Sequence, residues 1–128
     1  MAISNAPSRL RSVSALVISI LLCVAFLGAG IAKLTAQPMM IAEFTSFAYP
    51  LWFMTLTGVI EVVAAVLVVV PRTSQLGAGI LALVMIGALV SHLTHGQAAM
   101  IAPSVVLLSL AVIEFQLRGG RAPSLTTA

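Results

Sequence analysis

Glu61 is an acid in the middle of an otherwise apolar run, residues 51–70. An ionised carboxylate at the centre of a membrane span costs roughly 2.5–3.5 kcal/mol even on insertion-derived scales. Proton uptake, a cationic partner or a ligand must offset that cost, so the residue marks a functional or interhelical site. Few other side chains can do chemistry: Lys33, Glu43, His92, His95 and Glu114, with hydroxyls such as Thr57. One reading is a pocket in which Glu61 hydrogen-bonds a carbonyl or hydroxyl headgroup and Lys33 balances its charge. The other is structural: Lys33 reaches the interface, and Glu61 bonds Thr57 or a backbone group and holds the helices together.

The remaining polar residues carry weaker signals. His92 and His95 stand three apart and share a helix face, and Glu43 or Glu61 would extend them towards a metal-ligand set. Two histidines are too few, and Gly96 frays the helix at that point, so no metal is assigned. His92 by itself is either an interfacial polar residue or a proton or ligand contact. Glu114 and Arg118 form a favourable i, i+4 pair, read as a local salt bridge at the membrane interface. No nucleophile–base pair, phosphate loop or nucleotide motif is present, so no catalytic residue is assigned and enzyme activity stays open.

The elements that must position these groups are dictated by hydropathy. The chain has 128 residues, 61% hydrophobic and only 7% charged, with mean hydropathy +1.20. A soluble domain of this size cannot bury that much apolar surface. Four runs approach the length of a span: residues 13–34, 51–70, 76–93 and 98–117. Backbone groups in lipid must be satisfied internally, so these runs are helices. The fold class is therefore all-α, a polytopic membrane four-helix bundle over residues 13–117. It is flanked by a cytoplasmic N-terminal segment, 1–12, and a cytoplasmic tail, 118–128, in which residues 122–128 read as disordered.

Pro50 and Pro71 bracket the second helix, Gly96 precedes the fourth, and Gly119-Gly120 ends it. The short connections at 71–75 and 94–97 make the helices they join antiparallel neighbours. Residues 35–49 are too apolar for a free loop. They predict a short interfacial helix or a flap over the bundle mouth, with Tyr49 and Trp52 at headgroup depth.

Arg9, Arg11, Arg72, Arg118 and Arg121 fall on one side of four alternating helices, and only Lys33 on the other. The positive-inside rule then places both termini in the cytoplasm of a bacterial inner membrane. The net charge of +3 thus reports topology, and nucleic acid is excluded as a partner. The first run imitates a signal peptide, but it is too long and lacks a good cleavage site, which predicts a retained helix. Cys23 is the only cysteine, a packing or lipid-facing thiol.

Depth follows from a rise of about 1.5 Å per residue. Lys33 closes the first helix at the outer face, Glu61 lies roughly 15 Å below it, and His92 is near the outer end of the third helix. All three belong to the outer half, where a pocket would form. Thr57, Gly58, Ala64 and Ala65 make a small-residue stripe beside Glu61, and Gly30 and Ala29 stand behind Lys33. An inward bend of Lys33 would pair it with Glu61, although the depth offset opposes direct contact. The pentapeptide 27–31 recurs at 76–80. The two copies fall at opposite depths, so the match reads as coincidence among small residues.

Gly28-x-Gly30-x-x-Lys33-Leu34 at the end of helix one, Phe47-x-x-Pro50, Gly58-x-x-Glu61 and Pro71-Arg72 together resemble the DoxX-like family. The resemblance runs from about Arg9 to Leu117. It implies a small membrane subunit of the kind named after an archaeal quinol oxidase and linked to thiosulfate:quinone oxidoreduction. Position by position, Gly30, Lys33, Gly58 and Glu61 carry it over. No cysteine pair or facing histidine pair is present, so the chain cannot carry electrons alone.

The leading expectation is a subunit that binds a lipophilic ligand such as a quinone through Glu61, Lys33, His92 and Thr57. Gly30 and Gly58 serve as structural small residues, no cofactor is covalently bound, and the partners are lipid and a membrane oxidoreductase. The alternative is a non-catalytic anchor or assembly factor that recruits partners through lipid-facing small residues such as Gly79 and Gly87. A small transporter or membrane enzyme acting as a homo-oligomer is the third class.

Overall fold

The computed structural model of the chain describes the backbone of residues 2–119 and the side chains of residues 8–119. The expectations for Arg121 and for a disordered tail at 122–128 lie outside the described residues. Five α-helices are present among those described: α1 (Ala2–Leu34), α2 (Pro38–Ser46), α3 (Leu51–Val69), α4 (Ser74–Thr94) and α5 (Ile101–Gly119). A 3-10 turn, Ala98–Met100, leads into α5. Four segments are long and apolar enough to cross a membrane: Ser8–Leu34, Leu51–Val69, Ser74–Thr94 and Ala98–Gly119.

The four expected helices are all found, with two adjustments. Helix α1 begins well before residue 13, at Ala2, and runs on through Arg9 and Arg11 into the apolar span. The fourth span opens as a 3-10 turn, and Pro103 sits in the first turn of α5, where its missing N–H is not needed. The apolar connection is the expected short helix, α2, with Pro38 at its start.

Each span buries a stripe at heptad spacing. In α1 the stripe is Ala15, Ser19, Leu22, Phe26, Gly30 and Lys33; in α3 it is Met54, Gly58, Glu61, Ala65 and Val68. Helix α4 turns inward Ser74, Ala78, Leu81, Met85 and His92, and α5 turns inward Ser104, Ala111 and Glu114. The spans close a ring in which α1 packs on α3, α3 on α4, α4 on α5, and α5 back on α1. Leu22, Phe26, Ala64, Val68, Leu81 and Ala111 form the shared core. Leu16, Val24, Val63, Leu83 and Val106 remain exposed, as the outer face of a bundle in lipid requires.

The breaks between spans are capped locally. At the α3–α4 turn, Thr73 Oγ1 donates to Leu67 O at 2.8 Å and Ser74 Oγ reaches Val68 O at 2.7 Å. Those carbonyls would otherwise be orphaned at the helix end. Helices α1, α2 and α4 each end with a residue in the left-handed region: Ala36 (φ 53°), Ala48 (φ 61°) and Gly96 (φ 68°). The following N–H reaches back across each turn, from Gln37 to Ala32 O, Tyr49 to Phe44 O and Gln97 to His92 O. These caps set the angle at which α2 leaves α1 and returns to α3.

The two similar pentapeptides do different work. Gly30 lies against α3, and a Cβ on Gly77 would meet the α3 backbone at 2.6 Å, whereas nothing lies within 4 Å of Gly28.

Candidate functional site

The centre of the α2 end of the bundle is an ion pair. Lys33 Nζ donates to Glu61 Oε1 at 3.0 Å, and both residues are buried, Glu61 to 2% exposure. The depth offset read from the sequence is bridged by helix packing. A Cβ on Gly30 would stand 2.9 Å from Gly58 O, and a Cβ on Gly58 would stand 3.0 Å from Gly30 O and from Lys33 Cβ. The two glycines let the backbones of α1 and α3 meet, so the Lys33 side chain lies along α3 and reaches the acid. Glu61 bonds neither Thr57 nor a backbone group: Thr57 Oγ1 donates to Phe53 O at 2.8 Å.

A cavity of about 420 Å³ opens beside this pair, within the ~300–1,000 Å³ range of small-molecule sites. Lys33, Thr57, Glu61 and His92 all line it, so the structure brings together the four residues singled out for ligand contact. Most of the remaining wall is apolar: Met40, Phe44, Phe47, Phe53, Met85 and Leu107 are among its residues. Glu61 Oε2 makes no hydrogen bond. Among the described residues the one buried, unpartnered side-chain oxygen or nitrogen is Glu114 Oε1. Glu61 Oε2 therefore keeps accessible surface, in a residue that lines the cavity.

Helix α2 closes the end of the cavity, with Met40, Glu43 and Phe44 facing it. Phe44 is buried and meets Tyr49 and Phe53 with ring centroids 6.2 and 6.3 Å apart. A chain of hydrogen bonds ties α2 to the end of α4: His92 Nδ1 to Gln97 Oε1 at 2.9 Å, Gln97 Nε2 to Ser46 Oγ at 3.1 Å, and Ser46 Oγ to Glu43 O at 2.6 Å. His92 also packs edge-on against Phe47 at 5.4 Å. His95 does not join the cavity; its ring accompanies Phe47 at 4.9 Å and its Nδ1 bonds Ser91 O. Among the described residues no group of three His, Cys, Asp or Glu side chains could hold a metal.

Several site residues were not legible as such. Tyr49, expected at headgroup depth, is half-buried and bonds Ser91 Oγ at 2.8 Å inside the cavity wall. Trp52, at 67% exposure, does project outward. Gln97 and Ser46 gave no signal, because their role depends on α2 folding back onto α4. Of the two glycines expected on lipid-facing surfaces, Gly87 is exposed, whereas Gly79 is partly covered. A Cβ on Gly79 would meet the Phe115 ring at 3.3 Å, and Gly87 lines the cavity with open space beside it.

Glu114 is at the opposite end and is fully buried. Arg118 Nε donates to its Oε2 at 2.8 Å, and Ser74 Oγ lies 2.9 Å from the same oxygen. The expected pair is present, and through Ser74 it joins α5 to α4 inside the bundle.

Fold and site define a small multi-pass helical membrane protein with a polar-tipped, aromatic-lined cavity at one end. The chain belongs to the DoxX-like family, whose family model matches residues 17–114. A curated relative, "Uncharacterized protein YdgD" of Bacillus subtilis (strain 168), is 32% identical over 95 residues, covering 71% of this chain and 83% of the relative. No solved structure matches the chain.

Proposed function

We propose that this protein is a ligand-holding membrane subunit: the cavity takes a lipophilic molecule such as a quinone, and the chain serves a membrane oxidoreductase. The observation that carries the reading is the union of an apolar and aromatic cavity with one ion pair whose second carboxylate oxygen is unpaired. An apolar wall selects a lipophilic body, and a few convergent polar groups fix its headgroup. Glu61 accepts from the headgroup, and the attached Lys33 keeps the buried acid compensated.

Arg9, Arg11, Arg72 and Arg118 mark the end of the bundle opposite Lys33. The positive-inside rule supports an orientation with both termini in the cytoplasm of a bacterial inner membrane and the cavity in the outer half.

Native mass spectrometry of the protein extracted in mild detergent from its own membranes tests the reading. The expected result is a retained small lipophile that disappears in Gly87→Leu, a variant that fills the open space in the cavity wall. Glu61→Gln is a poorer probe, since it leaves Lys33 buried without its partner. A stoichiometric protein partner with no small mass would sink the ligand reading and favour the membrane anchor.

A further inference from the structure

The wall of the cavity is rich in hydrogen-bond acceptors and poor in donors, and this follows from counting hydrogens. Thr57 Oγ1 donates its single hydrogen to Phe53 O at 2.8 Å, and Ser104 Oγ donates to Met100 O at 2.8 Å. Ser91 Oγ donates to Gly87 O at 2.9 Å, so at the 2.8 Å contact with Tyr49 the tyrosine hydroxyl is the donor. Every hydroxyl lining the cavity has spent its hydrogen on the protein, and each keeps only lone pairs.

The tautomer of His92 follows from the same accounting. Ser46 Oγ donates to Glu43 O, so it accepts from Gln97 Nε2. Gln97 Oε1 then faces His92 Nδ1, and an amide oxygen only accepts. Nδ1 therefore carries the hydrogen, and in the neutral form of the ring the lone pair is at Nε2. That nitrogen is unpaired yet not sealed off, because the buried unpartnered atom among the described residues is Glu114 Oε1. His92, at 4% exposure, lines the cavity. Glu61 Oε2 is the second such acceptor, and Glu43 brings a third carboxylate-bearing face. Lys33 is the single side chain in the wall with hydrogens left to give, and one of its three is held by Glu61.

We infer that the cavity selects a lipophile whose headgroup donates hydrogen bonds, a hydroquinone or phenol, over the corresponding carbonyl compound, and that Gln97 is the positioning residue that sets this preference through His92. The inference rests on the ligand-holding role proposed above. A hydroxyl can accept from Lys33 and donate to Glu61 or His92. A quinone carbonyl can accept from Lys33 but meets only lone pairs at the other two.

The test is equilibrium binding of decylhydroquinone and decylbenzoquinone to the full chain in lipid nanodiscs, with binding that survives in Gly87→Leu subtracted. Hydroquinone binding about tenfold tighter is expected for one additional charge-assisted hydrogen bond. Gln97→Met should narrow that ratio by weakening the hydroquinone alone; a merely structural defect would weaken both compounds together. The chain has 2 histidines, so nitrogen NMR of the histidine-labelled protein, with His95→Gln for assignment, reads the His92 tautomer directly. Equal affinities, tighter benzoquinone binding or a hydrogen on Nε2 would overturn the inference and leave the ligand reading standing. Specific binding of neither compound would overturn both.

Discussion

Gly30 and Gly58 face each other across the α1–α3 contact so closely that a Cβ on either would fall within about 3 Å of the other's carbonyl oxygen, at 2.9 and 3.0 Å. This approach is what brings Lys33 to Glu61. Small residues are how membrane helices gain close packing where lipid removes the hydrophobic drive between them.

Gly30→Ala and Gly58→Ala should each cost about 1–3 kcal/mol, the range for forcing extra atoms into a packed contact. The obstacle is backbone, which cannot swing aside as a side chain can. Gly28→Ala has open space and is the control; it should be neutral or slightly stabilising. Unfolding in mild detergent, followed by the fluorescence of Trp52, measures all three. Equal effects at Gly28 and Gly30 would contradict the close crossing.

Breaking the ion pair from one side should be worse than removing it. Lys33→Met or Glu61→Gln leaves an uncompensated buried partner and should destabilise by about 3–5 kcal/mol. Lys33→Met combined with Glu61→Leu should recover most of that loss, since apolar replacements of a buried pair are tolerated. A double-mutant cycle on the same unfolding signal gives the coupling. Additive losses would show that the pair does not act as a unit.

Arg118 should matter more than a helix-surface salt bridge does. Exposed i, i+4 pairs contribute about 0.3–0.5 kcal/mol, but Glu114 is fully buried and one of its oxygens already lacks a partner. Arg118→Gln should cost about 2–3 kcal/mol. Ser74→Ala should lower stability as well, by removing the other side chain on Glu114 Oε2. A cost for Arg118→Gln in the exposed-pair range would place Glu114 in contact with water.

Ala48 is held at φ 61° to cap α2, a conformation that costs an L-residue roughly 1–2 kcal/mol. Ala48→Gly should therefore stabilise by about 0.5–1 kcal/mol after the extra entropy of glycine in the unfolded chain is charged against it. The readout is a higher midpoint of thermal unfolding. A lower midpoint would mean that the methyl group of Ala48 makes packing contacts that outweigh the strain.

The sequence by itself determined the spans and the residues that had to be explained. Hydropathy is a sum over about 20 residues per span and tolerates local error, so the four helices were legible. So was the polar content of one end of the bundle, because Glu61 and Lys33 are conspicuous against an apolar background. The small residues next to them pointed to the right helix faces.

Which polar atoms meet was decided only by the tertiary structure. In spans apolar on every side, the inward stripe cannot be read from a hydrophobic face. Rise per residue gives depth along one helix but not the distance between two. The Gly30–Gly58 crossing closes the depth offset between Lys33 and Glu61, and the return of α2 onto α4 joins Ser46, Gln97 and His92. The same closing of the ring buries Glu114 and brings it to Ser74, a contact that the i, i+4 spacing to Arg118 does not reveal. Hydrogen bonds are short and directional, so these contacts depend on shifts of an ångström or two between helices. Composition and spacing along the chain do not encode such shifts.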